Sequence, residues 1–169
     1  KYLDGIAAVN ETQCKSCRQN SNSLSGSGSI TNCVCNLGYT GPDDGNCSAC
    51  IPGTYKDVNG SSNCSRCGNN TYSQSAGAVS NSTCLSCTKY SISAEGSGQR
   101  RLCLCITGYT GVGQPGEKCT ACSSGTYKNV SGHQKCLVCP ANADTLLEAS
   151  TRLDDCMCNA GYSGENGKS

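Results

Sequence analysis

The chain is 169 residues long with a formal net charge of +1, and it holds 18 cysteines but no phenylalanine, no tryptophan and a single methionine. So little bulky apolar material excludes a large buried core, and the near-neutral charge offers no basis for a polyanion-binding surface or an acidic tail. Cysteine above about 10% of a chain marks a disulfide scaffold of an oxidising compartment, and no stretch approaches the ~20 apolar residues of a membrane span.

No signal peptide opens the sequence, so a mature form or a fragment is expected. From there the cysteines run in nine close pairs: 14/17, 33/35, 47/50, 64/67, 84/87, 103/105, 119/122, 136/139 and 156/158. Between pairs the text is turn chemistry: "SGSGS" at 25–29, "GPDDGN" at 41–46, "DVNGSS" at 57–62 and "GVGQPGE" at 111–117. The pieces "GTYKDV" (53–58) and "GTYKNV" (125–130) predict strands of three to five residues. One helix is considered, over 143–153, with Asp144 as cap and Leu146 and Leu153 on one face, although the apolar stripe is thin.

Shifting the chain by 70 lays Cys14/Cys17 on Cys84/Cys87 and Cys33/Cys35 on Cys103/Cys105. A shift of 72 then lays "CSACIPGTYKDVNGSSNCSRC" (47–67) on "CTACSSGTYKNVSGHQKCLVC" (119–139). Residues 1–70 and 71–142 are thus two copies of one supermodule, and a third beginning, at Cys156, skips one Cys-x-x-Cys loop.

Cys47, Cys50, Cys64 and Cys67 have the spacing of a zinc ribbon. Pairs that recur along the whole length favour disulfides over a metal site, so no metal and no cofactor is expected. The simplest pairing links the second cysteine of each pair to the first of the next: Cys17–Cys33, Cys35–Cys47, Cys50–Cys64, Cys67–Cys84, Cys87–Cys103, Cys105–Cys119, Cys122–Cys136 and Cys139–Cys156. Each closure is worth on the order of 3 kcal/mol by chain entropy. A crossed scheme, with Cys14–Cys33, or Cys122–Cys139 and Cys136–Cys156, fits the spacing too, and both keep Cys35–Cys47 and Cys105–Cys119. Cys14 (or Cys17) and Cys158 are expected to stay unpaired at cut ends, because the mate of Cys158 would fall past Ser169.

Seven Asn-x-Ser/Thr sequons occur, at Asn10, Asn46, Asn59, Asn63, Asn69, Asn81 and Asn129. A cysteine in the middle position makes Asn46 and Asn63 the weaker ones, which leaves Asn10, Asn69, Asn81, Asn129 and Asn59 as the expected carriers of N-linked glycans. The tyrosines sit at repeat-fixed places: Tyr39, Tyr109 and Tyr162 in Gly-Tyr-x-Gly, and Tyr55 and Tyr127 after Gly-Thr. They could be recognition hot spots, but positions fixed by repeat phase favour a scaffold role. His133 is the only histidine, no convergent constellation surrounds it in sequence, and no catalytic residue is assigned.

The motif Cys-x-Cys-x-x-Gly-Tyr-x-Gly…Cys resembles the end of an EGF-like module, which implies the Cys35–Cys47 and Cys105–Cys119 pairings. Residues 119–158, with Gly-Thr-Tyr, Cys-x-x-Cys-Pro and a closing Cys-x-Cys, resemble the ephrin-receptor-type cysteine-rich module. Residues 64–87 look like an inserted variant, also similar to tumour-necrosis-factor-receptor repeats. Gly68 replaces the usual Pro, and no acidic segment of the calcium-binding EGF kind precedes a module. Three modules follow: 1–47, a partial one; 48–119, with one inserted cysteine loop; and 120–169, truncated in its last loop. The implied fold is small and disulfide-rich, an extended rod of short hairpins and loops with little helix.

The style of the array also resembles extracellular filament proteins of algae and protists, flagellar hairs (mastigonemes) among them. The expected role is a structural subunit of an extracellular filament, hair or matrix, secreted or at the cell surface. Its partners would be lateral copies of itself and N-linked glycans, with no nucleic acid and no membrane insertion in this segment. The alternative is a ligand-binding or stalk segment of a cell-surface receptor or adhesion protein. An enzyme is not expected.

Overall fold

The structure, a computed structural model, describes residues 1–3, 13–111 and 118–164. Asn10 and the glycine-rich sequence at 112–117 lie outside the described residues. With no aromatic core to build on, the described residues form eight small hairpins in sequence order. These are β1 (Ser21–Asn22) with β2 (Val34–Cys35), β3 (Tyr39–Thr40) with β4 (Ser48–Ala49), β5 (Thr54–Tyr55) with β6 (Ser65–Arg66), and β7 (Thr71–Tyr72) with β8 (Leu85–Ser86). They continue as β9 (Ser91–Ile92) with β10 (Leu104–Cys105), β11 (Tyr109–Thr110) with β12 (Thr120–Ala121), β13 (Thr126–Tyr127) with β14 (Leu137–Val138), and β15 (Ala143–Thr145) with β16 (Cys156–Cys158). The strands at "GTYKDV" and "GTYKNV" are shorter than expected, Thr54–Tyr55 and Thr126–Tyr127, because the lysine that follows turns inward.

Eight disulfides staple the hairpins: Cys17–Cys33, Cys35–Cys47, Cys50–Cys64, Cys67–Cys84, Cys87–Cys103, Cys105–Cys119, Cys122–Cys136 and Cys139–Cys156. Their Cα–Cα distances run from 5.5 to 5.8 Å, in the usual range. Cys14 and Cys158 carry no disulfide. The four cysteines with ribbon spacing are all bonded in this ladder, so they are not a thiolate set for zinc. Among the described residues, every buried apolar residue other than Tyr2, Ala78 and Tyr127 is a half-cystine.

Loop length decides the local form. The four bonds that span 16 or 17 residues each enclose a 3-10 turn, at Ile30–Asn32, Asn81–Thr83, Arg100–Leu102 and Leu153–Asp155. Each turn ends on the second cysteine of its bond, whose N–H donates to the carbonyl of the turn's first residue. Ser29 and Ser80 cap the first two with their hydroxyls. The bonds spanning 12 or 14 residues have no such turn among the described residues.

The helix considered over 143–153 does not form. Ala143–Thr145 is strand β15, with Asp144 opposite Met157, and Ala149 has φ +59°. The Cys139–Cys156 bond draws 143–145 against 156–158, and a left-handed residue at 149 ends any helical run. Leu146 and Leu153, the supposed helix face, remain exposed.

One backbone device recurs in every hairpin. The turn entering each first strand holds a residue in the left-handed region: Asn20, Gly38, Gly53, Asn70, Tyr90, Gly108, Gly125 and Asn142. The carbonyl of each accepts an N–H from the far side of its own hairpin, from Asn36, Cys50, Cys67, Cys87, Ile106, Cys122, Cys139 and Asn159 in turn. The chain divides into two compact units. One comprises Lys1–Gly68, Ser73–Leu85 and Glu95–Gly98, and the other Asn69–Tyr72, Ser86–Ala94 and Gln99–Ser169.

Candidate interaction surface

The two motifs that repeat most closely, Gly-Tyr-Thr-Gly and Gly-Thr-Tyr-Lys, are the two halves of one joint. In the first unit Gly38 N–H donates to the Lys56 carbonyl at 2.8 Å. The Lys56 ammonium turns back to donate to the carbonyls of Tyr39 (2.7 Å) and Gly60. The Thr40 hydroxyl donates to the Ser62 carbonyl at 3.0 Å. In the second unit Gly108 N–H donates to the Lys128 carbonyl, the Lys128 ammonium to the carbonyls of Tyr109 and Gly132 (both 2.7 Å), and Thr110 to the Gln134 carbonyl.

A buried ammonium needs partners to offset its lost hydration, and here backbone carbonyls supply them. Lys56 and Lys128 are each only 1% exposed. Burial lowers both below the ordinary lysine value, and Asp43 opposes the shift at Lys56. Glycine is required at the joint because the next-but-one hairpin presses on it. A Cβ on Gly38 would lie 2.3 Å from the Gly77 carbonyl oxygen, and one on Gly108 would lie 2.2 Å from that of Ala149. Sequence reading missed the buried lysines. The signal was there: each lysine holds the same repeat position, four residues before a glycine.

The third motif copy, Gly161-Tyr162-Ser163-Gly164, has no such cover among the described residues. A Cβ on Gly161 would meet nothing within 4 Å, and Tyr162 is 58% exposed. The tyrosines thus divide. Tyr127 is buried against the Cys139–Cys156 bond, as a scaffold residue would be. Tyr109 instead stacks on Tyr90, with ring centroids 4.0 Å apart and planes at 15°, and Lys89 Nζ sits 4.7 Å from the Tyr90 ring centre. Sequence reading did not single out Tyr90.

In the second unit an open cleft of about 420 Å³ is lined by Leu146, Leu147, Asp154 and Met157 among others. Asn59, Asn69, Asn81 and Asn129 are exposed, as are Asn46 and Asn63. His133 is also exposed, with Nε2 3.2 Å from the Arg101 carbonyl oxygen. Among the described residues no three histidines, cysteines or acids gather as a metal cluster, and no helix is long and apolar enough to cross a membrane.

The family model described as "Tyrosine-protein kinase ephrin type A/B receptor-like" matches residues 38–91 and 108–156, more than half of the chain. The chain belongs to this ephrin-receptor-like family. Both matched segments begin at the glycine of a Gly-Tyr-Thr-Gly joint. Among curated relatives, the mouse "Sushi, von Willebrand factor type A, EGF and pentraxin domain-containing protein 1" is 44% identical over 63 residues, which covers 36% of this chain and 2% of that protein. Ephrin type-B receptor 3 of Xenopus laevis is 37% identical over 67 residues, 40% of this chain and 6% of the receptor. Ephrin type-B receptor 2 of Gallus gallus is 40% identical over 60 residues, 36% of this chain and 6% of the receptor.

The chain therefore spans only a few per cent of the length of these relatives. They are receptors and a sushi- and EGF-containing protein, and they lend no support to the expected likeness to flagellar-hair subunits. Family and disulfides together point to an extracellular or cell-surface location.

Proposed function

We propose that this segment is a non-catalytic spacer, a stalk within a receptor- or adhesion-type protein, that holds other domains apart. The joint is the observation that carries this reading: the Gly-Tyr-Thr-Gly turn of one hairpin is locked by backbone and lysine hydrogen bonds to the next hairpin, in both units. Such a contact between sequence neighbours makes an array additive and extensible. The turn at Gly161–Gly164, uncovered among the described residues, repeats the sequence of the same joint. The kinase named in the family description belongs to relatives of which this chain covers a few per cent, and nothing of it carries over. A subunit of a fibre or surface hair would use the same architecture, but no observation favours it over a stalk.

As a stalk the segment would carry sugars on its exposed loops, with at least two of Asn10, Asn69, Asn81 and Asn129 occupied. Intact mass before and after enzymatic deglycosylation measures this directly, and an unchanged mass contradicts it. The spacer role is tested by placing the secreted chain between two fluorescent domains. Energy transfer should be steady in denaturant-free buffer and shift once the disulfides are reduced. The same protein should give a flat response to soluble ephrins. Saturable binding would replace the spacer reading with a ligand-binding one.

A further inference from the structure

Tyr90 occupies an unusual backbone position. At the eight left-handed turn positions the chain uses glycine or asparagine seven times and an aromatic residue once, at Tyr90 with φ +64°. A bulky side chain is disfavoured there, so its presence calls for a reason beyond the turn. The ring lies flat on Tyr109, with ring centroids 4.0 Å apart and planes at 15°. Rings stacked this closely bring the carbons of the two phenols into van der Waals contact. Tyr90 is 38% exposed, open to a small oxidant. The Lys89 ammonium beside the Tyr90 ring lowers the Tyr90 pKa, with Tyr109 adding to the shift. That enlarges the share of phenolate, the form that gives up an electron more readily.

We propose that Tyr90 and Tyr109 are an oxidative cross-linking site that closes to an intramolecular dityrosine. The oxidant is hydrogen peroxide acting through a haem peroxidase, a chemistry suited to an extracellular setting. Each phenol loses one electron and one proton from its hydroxyl, and the two phenoxyl radicals couple to form one bond between ortho carbons. The ortho hydrogens then move to the oxygens and restore both phenols. The net change is two hydrogen atoms lost from the protein, and one peroxide is reduced to two waters. The product ties β11 to the turn before β9 by a bond that thiols do not reduce, beside the Cys87–Cys103 and Cys105–Cys119 rungs.

The first unit supplies an internal control. A shift of 70 residues places Asn20 where Tyr90 stands and Tyr39 where Tyr109 stands. The Asn20 side chain donates to the Cys47 carbonyl at 3.4 Å, and no ring faces Tyr39 among the described residues.

The test treats the secreted 169-residue chain, at high dilution, with horseradish peroxidase and hydrogen peroxide. Dityrosine fluorescence is followed, and the product is then reduced and digested with trypsin. The expected product is a single cross-linked species joining residues 90–100 to 102–118, lighter than the sum of the two peptides by two hydrogen atoms. Tyr90→Phe and Tyr109→Phe should each abolish it, while Tyr39→Phe should leave it unchanged. Disulfide maps of the variants identical to that of the unsubstituted chain would show that the loss is not misfolding. The proposal is overturned if the unsubstituted chain gives no such species while its tyrosines are consumed, or if the cross-links join separate chains and vanish on dilution.

Discussion

The two units use one joint in two chemical settings. Around Lys56 the buried ammonium has Asp43 within electrostatic reach, and the turn position opposite Tyr39 is asparagine. Around Lys128 burial alone sets the charge balance, and the corresponding position holds Tyr90, stacked on Tyr109. The backbone bonds are the same in both, down to glycine N–H donating to lysine carbonyl and glycine carbonyl accepting from cysteine N–H. The comparison teaches that the repeat specifies main-chain geometry, while the side chains above it are free to differ.

If the scaffold is shared, equivalent lesions should cost the same in each unit. Replacing Cys50 and Cys64 together by alanine, or Cys122 and Cys136, opens loops of equal span, 14 residues in each case. Each should lower stability by about 3 kcal/mol, the chain-entropy value for such a loop. Denaturant unfolding followed by hydrogen exchange in each unit measures both, and a large inequality would break the equivalence. Gly38→Ala and Gly108→Ala come next. Each forces a Cβ to within 2.3 Å or less of a carbonyl oxygen at positive φ, at a cost of about 2–4 kcal/mol. Gly26→Ala is the contrast: φ is +83° but nothing lies within 4 Å, so only the conformational cost of about 1 kcal/mol applies.

How much of this was readable in advance follows from what each residue type does. Half-cystines announce themselves by spacing, and the structure adopts the sequential pairing rather than the crossed one. The paired motifs at Gly38 and Gly53, and at Gly108 and Gly125, were visible as repeats. Their meaning as two faces of one contact was not, because hydrogen bonds to backbone carbonyls leave no residue-type signature at the acceptor. The burial of Lys56 and Lys128 went unseen for the same reason. The helix considered at 143–153 was a thin apolar stripe overruled by the Cys139–Cys156 bond. Tyr90 was missed because its partner lies 19 residues away and neither copy of the repeat demands it.

Smaller effects separate the two settings. Lys56→Met and Lys128→Met each leave two carbonyls without their charged donor and should destabilise by about 2 kcal/mol. Asp43→Asn should lower the Lys56 pKa further, because it removes the one opposing charge, and should leave Lys128 untouched. Nitrogen NMR of the lysine side chains reads this shift. Both lysines are lowered from 10.5 in the folded chain, so the unfolded chain binds more protons between the lowered value and 10.5. Stability contributed by these sites should therefore rise with pH across that window, with the two free cysteines alkylated to prevent exchange.

The ladder itself is tested most directly by disulfide mapping of the non-reduced, secreted chain, digested at low pH and sequenced by mass spectrometry. Linked peptides should report Cys17–Cys33, Cys50–Cys64, Cys67–Cys84, Cys122–Cys136 and Cys139–Cys156 together with the remaining three sequential bonds. A Cys14–Cys33 bond, or Cys122–Cys139 beside Cys136–Cys156, would mean that the hairpins are crossed rather than stapled in order, and would contradict the account.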